Sequence, residues 1–505
     1  MSWATPDNLL LVAIAIPLAA ALLIPAFHNA PNLREAVTLT AAVLLCLTVV
    51  SLLGPVLGGA RPHVTGLEVL PGIAIGLRLE PLGMLFALVA SSLWILNSIY
   101  SIGYMRAHDE PRQTTYYVCF AIALASTMGV CFAENLFTLF LAYEALTLST
   151  YPLVTHHRDA KAMASGRLYL ILLLGTSMVL FLPAIAATYV LAGTTDFTPG
   201  GILAGKANTA TLVVLLGLYV FGIGKAAMMP LHFWLPAAMV APTPVSALLH
   251  AVAVVKAGVF CVVKIVVYIF GLETLTATNA SEWLIYAASA SLLAASLIAL
   301  TRDNLKARLA YSTVSQLAYV VLGAALATAS GVLGSGVHIA MHAAGKITLF
   351  FCAGAIYVAA HKTEVSQLNG LGRRMPITML AFLVGSLSII GIPPLGGTWT
   401  KWLLSLGAIE SGHLFVIAVL MLSSLLNVAY LLSIVGRAFF LPPAENDDHG
   451  HGHDHGHGDK PTGGIQEAPL ACLIPLCLTA LLCVVLFFQV DQLQALLSPI
   501  VAAPR

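Results

Sequence analysis

Runs of roughly twenty apolar residues, parted by short polar or Pro- and Gly-rich stretches, recur along the whole chain. A helical run of that length matches the roughly 30 Å hydrocarbon core of a bilayer. The pattern predicts about fourteen spans, at 7–27, 36–58, 81–103, 114–132, 134–154, 165–192, 209–229, 244–270, 281–301, 308–328, 333–360, 376–408, 411–440 and 467–490. Ahead of the third span, HVTGLEVLPGIAIGLRLEP alternates weakly and predicts a short surface hairpin. The first run has no basic region before it and no clear cleavage site, so it reads as a span and not a signal peptide.

Two spans are interrupted. Between Val220 and Gly258 the chain reads VFGIGKAAMMPLHFWLPAAMVAPTPVSALLHAVAVVKAG, with Pro230, Pro236, Pro242 and Pro244 lying between Lys225 and Lys256. Proline removes a backbone donor, and irregular backbone survives at membrane depth only where protein or a water-lined cavity satisfies it. A second break, GIPPLGGTWTK, places Pro393, Pro394, Gly396 and Gly397 ahead of Lys401. Helices 7 and 12 are thus each broken beside a lysine, at matching places in two five-helix blocks (helices 4–8 and 9–13). Five crossings is an odd number, so the second block is inverted relative to the first. The chain reads as an all-α polytopic membrane protein. Its expected parts are 1–113 (helices 1–3 and the hairpin loop), the two repeats at 114–270 and 281–440, a polar loop at 441–466, and a last helix within 467–505.

Composition agrees: 59% of residues are hydrophobic and only 9% charged, against about 25% charged in soluble domains. A net charge of +1 without a basic run gives nucleic acid nothing to bind. With the N-terminus outside, fourteen Lys and Arg fall in inner loops or helix ends and four (Arg61, Arg78, Lys206, Arg505) outside. The other five, Lys225, Lys256, Lys264, Lys346 and Lys401, lie within spans. That bias predicts an inner-membrane protein with both termini outside. The eight cysteines show no CxxC spacing and no histidine at ligand spacing, so they read as small core residues, and no cofactor is expected.

The candidate chemistry lies in the polar groups inside the spans, where a charge at mid-bilayer costs about 2.5–3.5 kcal/mol. Glu144, in NLFTLFLAYEALTLSTYPLV, is the one carboxylate placed deep in the membrane. It is either a structural ion-pair partner or a switch. A dry site favours a neutral amine and a nearby carboxylate favours the ammonium. A Glu144 that swings toward or away from Lys225 would load or empty that lysine near neutral pH, a change of roughly 4 kcal/mol. Lys256 follows His250 by six residues, about 240° around a helix, so the two are expected to face different sides of one water chain. Lys264 is expected to snorkel toward the outer surface. In GVHIAMHAAGKITLFF, His338, His342 and Lys346 stand at i, i+4 and i+8, one polar stripe suited to a proton relay because histidine changes charge near neutral pH. Lys401, past the second break, is the expected exit group. No cluster of hard oxygen ligands is visible for sodium, so protons are the natural load. His449, His451, His453, His455 and His457 alternate with glycine and aspartate in a polar loop. Low complexity is the plain reading of that loop, with loose zinc or nickel binding as the sharper alternative.

LFLAYEALTLSTYPL, the 222–258 stretch, TRDNLKARLAYSTVSQLAYV, HIAMHAAGKITLFF and GIPPLGGTWTKWLL together resemble the antiporter-like membrane subunits of respiratory complex I, membrane-bound hydrogenases and Mrp-type sodium/proton antiporters. The resemblance covers roughly residues 70–440. It implies fourteen helices with two inverted repeats and a proton pathway through Glu144, Lys225, Lys256, His338, His342, Lys346 and Lys401. It also implies partner membrane subunits and no catalytic chemistry in this chain itself. Lysine at the exit position and a short tail after the last helix lean toward the D-type member of the Mrp antiporters, with a complex I or hydrogenase subunit as the alternative. The histidine loop departs from the family pattern.

Overall fold

The computed structural model describes residues 5–70, 73–442 and 464–502. Among these, fourteen helical segments answer to the expected spans. They are α1 (Pro6–Phe27), α2 (Pro31–Leu57), α3 (Pro81–Ala107), α4 (Gln113–Phe132), α5 (Leu136–Val154), α6 (Ala160–Ala192) and α7, opening with Thr209–Gly222. There follow α8 (Thr243–Phe270), α9 (Glu282–Thr301), α10 (Leu305–Ala325), α11 (Ala329–Ala360), α12, opening with Pro376–Ile390, α13 (Phe415–Phe440) and α14 (Leu470–Phe488). Several begin where a short polar side chain caps an apolar run. Asn135, Asp159, Asn208, Asn304 and Thr328 each accept from the backbone N–H three residues on, at 2.6–3.1 Å. The hairpin forms as two small antiparallel ladders. His63–Val64 pairs with Leu77–Arg78, and inside it Glu68–Leu70 pairs with Ile73–Ala74.

Both expected interruptions are present. After Gly222 the helix gives way to a tight turn at Gly224–Ala226, Ala227 turns left-handed (φ 51°), and helix resumes only as the short turn Trp234–Ala237. After Ile390, Gly391 takes φ 85°, which suits a residue without Cβ. The second half of α12 then runs Gly397–Glu410. A third interruption corrects the continuous helix expected at 244–270. Leu248–Val252 is a wide π turn, and Ala253 leaves helical geometry (φ −122°, ψ −73°) before Val254–Ile265 continues.

Helices α4–α8 make five crossings, so α9–α13 start from the opposite membrane face and form an inverted block. Enclosure differs sharply between helices. The most apolar stretch of α8 is 100% buried and that of α11 is 78% buried, against 33% for α1, α2 and α13. The helices that carry Lys256 and the histidine row, α8 and α11, are among those the bundle shields best.

Candidate functional site: the buried lysines and histidines

At the first break Lys225 is fully buried. Its Nζ donates to the Tyr143 carbonyl at 2.8 Å and to Thr147 Oγ1 at 2.5 Å, and it lies 3.1 Å from the Tyr143 ring centre. The Lys225 backbone N–H donates to Tyr143 Oη at 3.1 Å. Trp234 Nε1 donates to the Gly224 carbonyl at 3.0 Å, pinning the turn from its far side. On α8, Gly258 meets this turn so closely that a Cβ there would stand 2.3 Å from the Lys225 carbonyl carbon. Glu144 is buried beside Tyr143, yet neither carboxylate oxygen has a hydrogen-bond partner among the described residues. Nor does it form an ion pair with Lys225 within 4.0 Å. The amine is therefore held on hydroxyl and carbonyl groups, away from the acid.

Across the bundle the groups meet. Lys256, fully buried on α8, hydrogen-bonds His342 Nδ1 on α11. The His342 and His338 rings stack at 5.4 Å, and His338 stacks on Tyr319 of α10 at 5.6 Å. Lys401 Nζ lies 5.6 Å from the other end of this file, over the Tyr319 ring. It donates to Ser424 Oγ at 2.5 Å and to the Ile390 carbonyl. Both nitrogens of His338, Nε2 of His342, both amide atoms of Gln316 and Tyr319 Oη are buried without a protein partner among the described residues. Each such group costs about 1–3 kcal/mol if left dry. A file of water along this polar line would satisfy them together.

Lys346 departs from the stripe on which its spacing puts it. Its Nζ turns to α10, donating to Ser312 Oγ at 2.6 Å and to the Leu309 carbonyl at 3.3 Å. Tyr430 Oη of α13 donates to Ser312 at 2.9 Å and also meets Asn427. Lys346 thus opens a branch toward α13, and the His338–His342 pair joins Lys256 without it. His250 is buried against the Phe350 ring at 4.5 Å, with both nitrogens unpartnered. The 240° argument separating it from Lys256 lapses, because the helix between them is interrupted. His250 lies within charge reach of Lys346, Lys306 and Lys256.

Lys306 Nζ donates to the Ala241 carbonyl at 2.6 Å, tying α10 to the irregular chain before α8. It also lines a cavity of about 380 Å³ with Glu110, His157, Lys161 and Thr243, at the C-terminal end of α3. In the α3–α4 loop Glu110 stands 3.5 Å from His156 and 3.8 Å from His157. Burial alone would raise its carboxyl, but the two imidazoles, with His108, outweigh it and hold Glu110 below its ordinary 4.5.

Lys264 does not snorkel. It is fully buried, donates to the Ala133 carbonyl at 2.7 Å and pairs with Glu80 Oε2 at 3.4 Å. Glu80, the residue before α3, is thus a buried carboxylate, as are Glu144 and Glu35. The signal in the sequence was a lone acid directly ahead of Pro81. His449, His451, His453, His455 and His457 lie outside the described residues.

Comparison with known proteins identifies the family. The family model described as the NADH:quinone oxidoreductase/Mrp antiporter transmembrane family matches residues 133–427, which hold Glu144, Lys225 and the whole file from Lys256 to Lys401. NADH-quinone oxidoreductase subunit N of Desulforudis audaxviator is 32% identical over 444 residues, covering 86% of this chain and 86% of its own. NAD(P)H-quinone oxidoreductase chain 5 of a Synechocystis species is 33% identical over 65% of this chain, which spans 49% of that longer protein. A chain of the Mrp complex of a Dietzia species shares the fold, with a TM-score of 0.84 at 23% identity over 99% of this chain and 97% of that one. The chain belongs to the NADH:quinone oxidoreductase/Mrp antiporter family, as an antiporter-like, multi-pass membrane subunit.

Proposed function

We propose that this subunit translocates protons as the D-type, Mrp-like member of a multisubunit cation/proton antiporter. Protons enter through the Glu110–Lys306 cavity and pass His250 to Lys256. They cross by His342 and His338 and leave past Lys401. Glu144 sets the load on Lys225, and Lys346 holds a side branch. The observation that carries the reading is the file Lys256–His342–His338–Tyr319–Lys401, in which His342 Nε2, both His338 nitrogens and Tyr319 Oη are buried without a hydrogen-bond partner among the described residues. In this reading the two repeats are 114–270 and 281–440, the loop that carries the Arg106–Arg112 basic residues faces inward, and both termini lie outside the inner membrane. The partners are other membrane subunits, the ions are protons and, through the assembled antiporter, sodium.

A second reading makes the chain the proton-pumping subunit of a complex I-like oxidoreductase or a membrane-bound hydrogenase. The even 86% coverage of both chains in the match to the Desulforudis protein favours it. Identifying the copurifying subunits separates the two: small membrane proteins support the antiporter, iron–sulfur proteins the oxidoreductase. The common core of both readings is tested by Glu144→Ala, Lys225→Ala and Lys256→Ala in the complex reconstituted into vesicles. Loss of proton transport at normal expression is expected. Unchanged transport sinks both.

A further inference from the structure

The Glu80–Lys264 pair takes no part in the pathway above, yet it is built like a site. A cavity of about 390 Å³ lies at the N-terminal end of α3, the membrane face opposite the Glu110 cavity. It is lined by Arg61, His63, Arg78, Tyr268 and Glu80. Glu80 is 5% exposed and its Oε2 has no hydrogen-bond partner among the described residues, although Lys264 stands 3.4 Å behind it. His63 and Arg78 are engaged by Glu134 at 2.9 and 2.6 Å, on the rim. Behind Lys264 the line continues inward. Cys261, three residues earlier on α8, lies within charge reach of both Lys264 and Lys225. The Phe197 ring closes the remaining side of the amine at 4.3 Å.

We infer that Glu80 and Lys264 form a proton-exchange port through which the first repeat communicates with the membrane face opposite the Glu110 cavity, independently of Lys401. The inference rests on the proposed proton pathway. The step is a simple transfer. The proton leaves Lys264 Nζ for Glu80 Oε2, leaving a neutral amine and a carboxylic acid. The acid gives the proton to the cavity and returns to carboxylate, and Lys264 is reprotonated from the Lys225 side. Burial pushes the Glu80 carboxyl above its ordinary range against the pull of Lys264, Arg78 and Arg61, so the acid form is accessible to an arriving proton. A merely structural latch between α3 and α8 would need the two charges but no movement of the proton.

Arginine at 264 separates the two roles, because it keeps the charge and cannot release its proton. In the reconstituted complex, Lys401→Met is expected to leave measurable proton transport. The double variant Lys401→Met/Lys264→Arg is expected to lose at least about tenfold of that remainder, with Glu80→Gln acting like Lys264→Arg and Glu80→Asp restoring transport. If Lys401→Met abolishes transport, or Lys264→Arg leaves the remainder untouched, the port is overturned while the main pathway stands. If Lys256→Ala is also without effect, the pathway itself has failed. The unmutated complex gives a second readout that needs no variant to fold. A hydrophobic carbodiimide, which reacts with protonated carboxyls in dry settings, should label Glu80 and slow transport in step with labelling. Absence of Glu80 label at full label of other buried carboxyls overturns the port.

Discussion

At the breaks in α7 and α12 a lysine amine is clamped by a main-chain carbonyl, a hydroxyl and a tyrosine face. Lys225 has the Tyr143 carbonyl, Thr147 and the Tyr143 ring. Lys401 has the Ile390 carbonyl, Ser424 and the Tyr319 ring. The difference lies beside the tyrosine. Glu144 follows Tyr143, whereas Tyr319 stands between Ala318 and Val320. Lys225 is also fully enclosed, and Lys401 is only partly buried. The same clamp therefore stands in two different electrostatic settings. In the proposed pathway, the acid beside the first amine offers it an alternative partner that would control its charge. The second amine, without one, would pass its proton on.

The sharpest way to break this comparison is to exchange the amine for an acid at each place. Lys225→Glu puts two carboxylates into one dry site, where both cannot ionise. Proton transport is expected to fall by at least about tenfold. Lys401→Glu meets no carboxylate among the described residues and should keep transport within about threefold of the parent, since an acid can also hold and release a proton. Equal losses at both positions would remove the distinction.

Next in size is Gly258→Ala, whose methyl collides with the Lys225 backbone. Overpacking of this kind costs about 1–3 kcal/mol, to be read as a lowered melting temperature in detergent. Gly436→Ala on α13 meets nothing within 4 Å and should melt like the parent. The tyrosine hydroxyls come third. Tyr143→Phe strips the Lys225 N–H of its acceptor and should cost about 1–3 kcal/mol. Tyr319→Phe removes a hydroxyl that lies near Ser423 and Ser424 but has no well-aligned hydrogen-bond partner among the described residues. It should leave melting unchanged and slow transport by about threefold, roughly 0.7 kcal/mol.

The smallest effect is on acid stability. Glu110 is held below 4.5 by its imidazole neighbours, so its contribution is full above 4.5 and fades as pH falls through the lowered value. Glu110→Gln should flatten that part of the pH–melting curve. A curve unchanged in the variant would show that the loop cluster does not couple to folding.

The interruptions at Lys225 and Lys401 were legible because proline and glycine stand next to a lysine in an apolar run. The one at Ala253 was not, since LLHAVAVV contains neither residue. Periodicity correctly put His338 and His342 in one row. It failed for Lys346 because a four-carbon stem lets the amine leave the face its Cα occupies. Glu80 escaped notice because it sits at a boundary, just before Pro81, where an acid ordinarily reads as solvated. That Glu144 stands apart from Lys225 is a matter of distance, which spacing along the chain does not encode.

The seam at Gly258 has a mechanical consequence. Main chain rests on main chain there, with no side chain between to absorb a displacement. Lys256 is two residues away on the same rod. A tilt of that rod would press directly on the loop that carries Lys225, so a displacement at Lys256 is expected to be felt at the Lys225 amine.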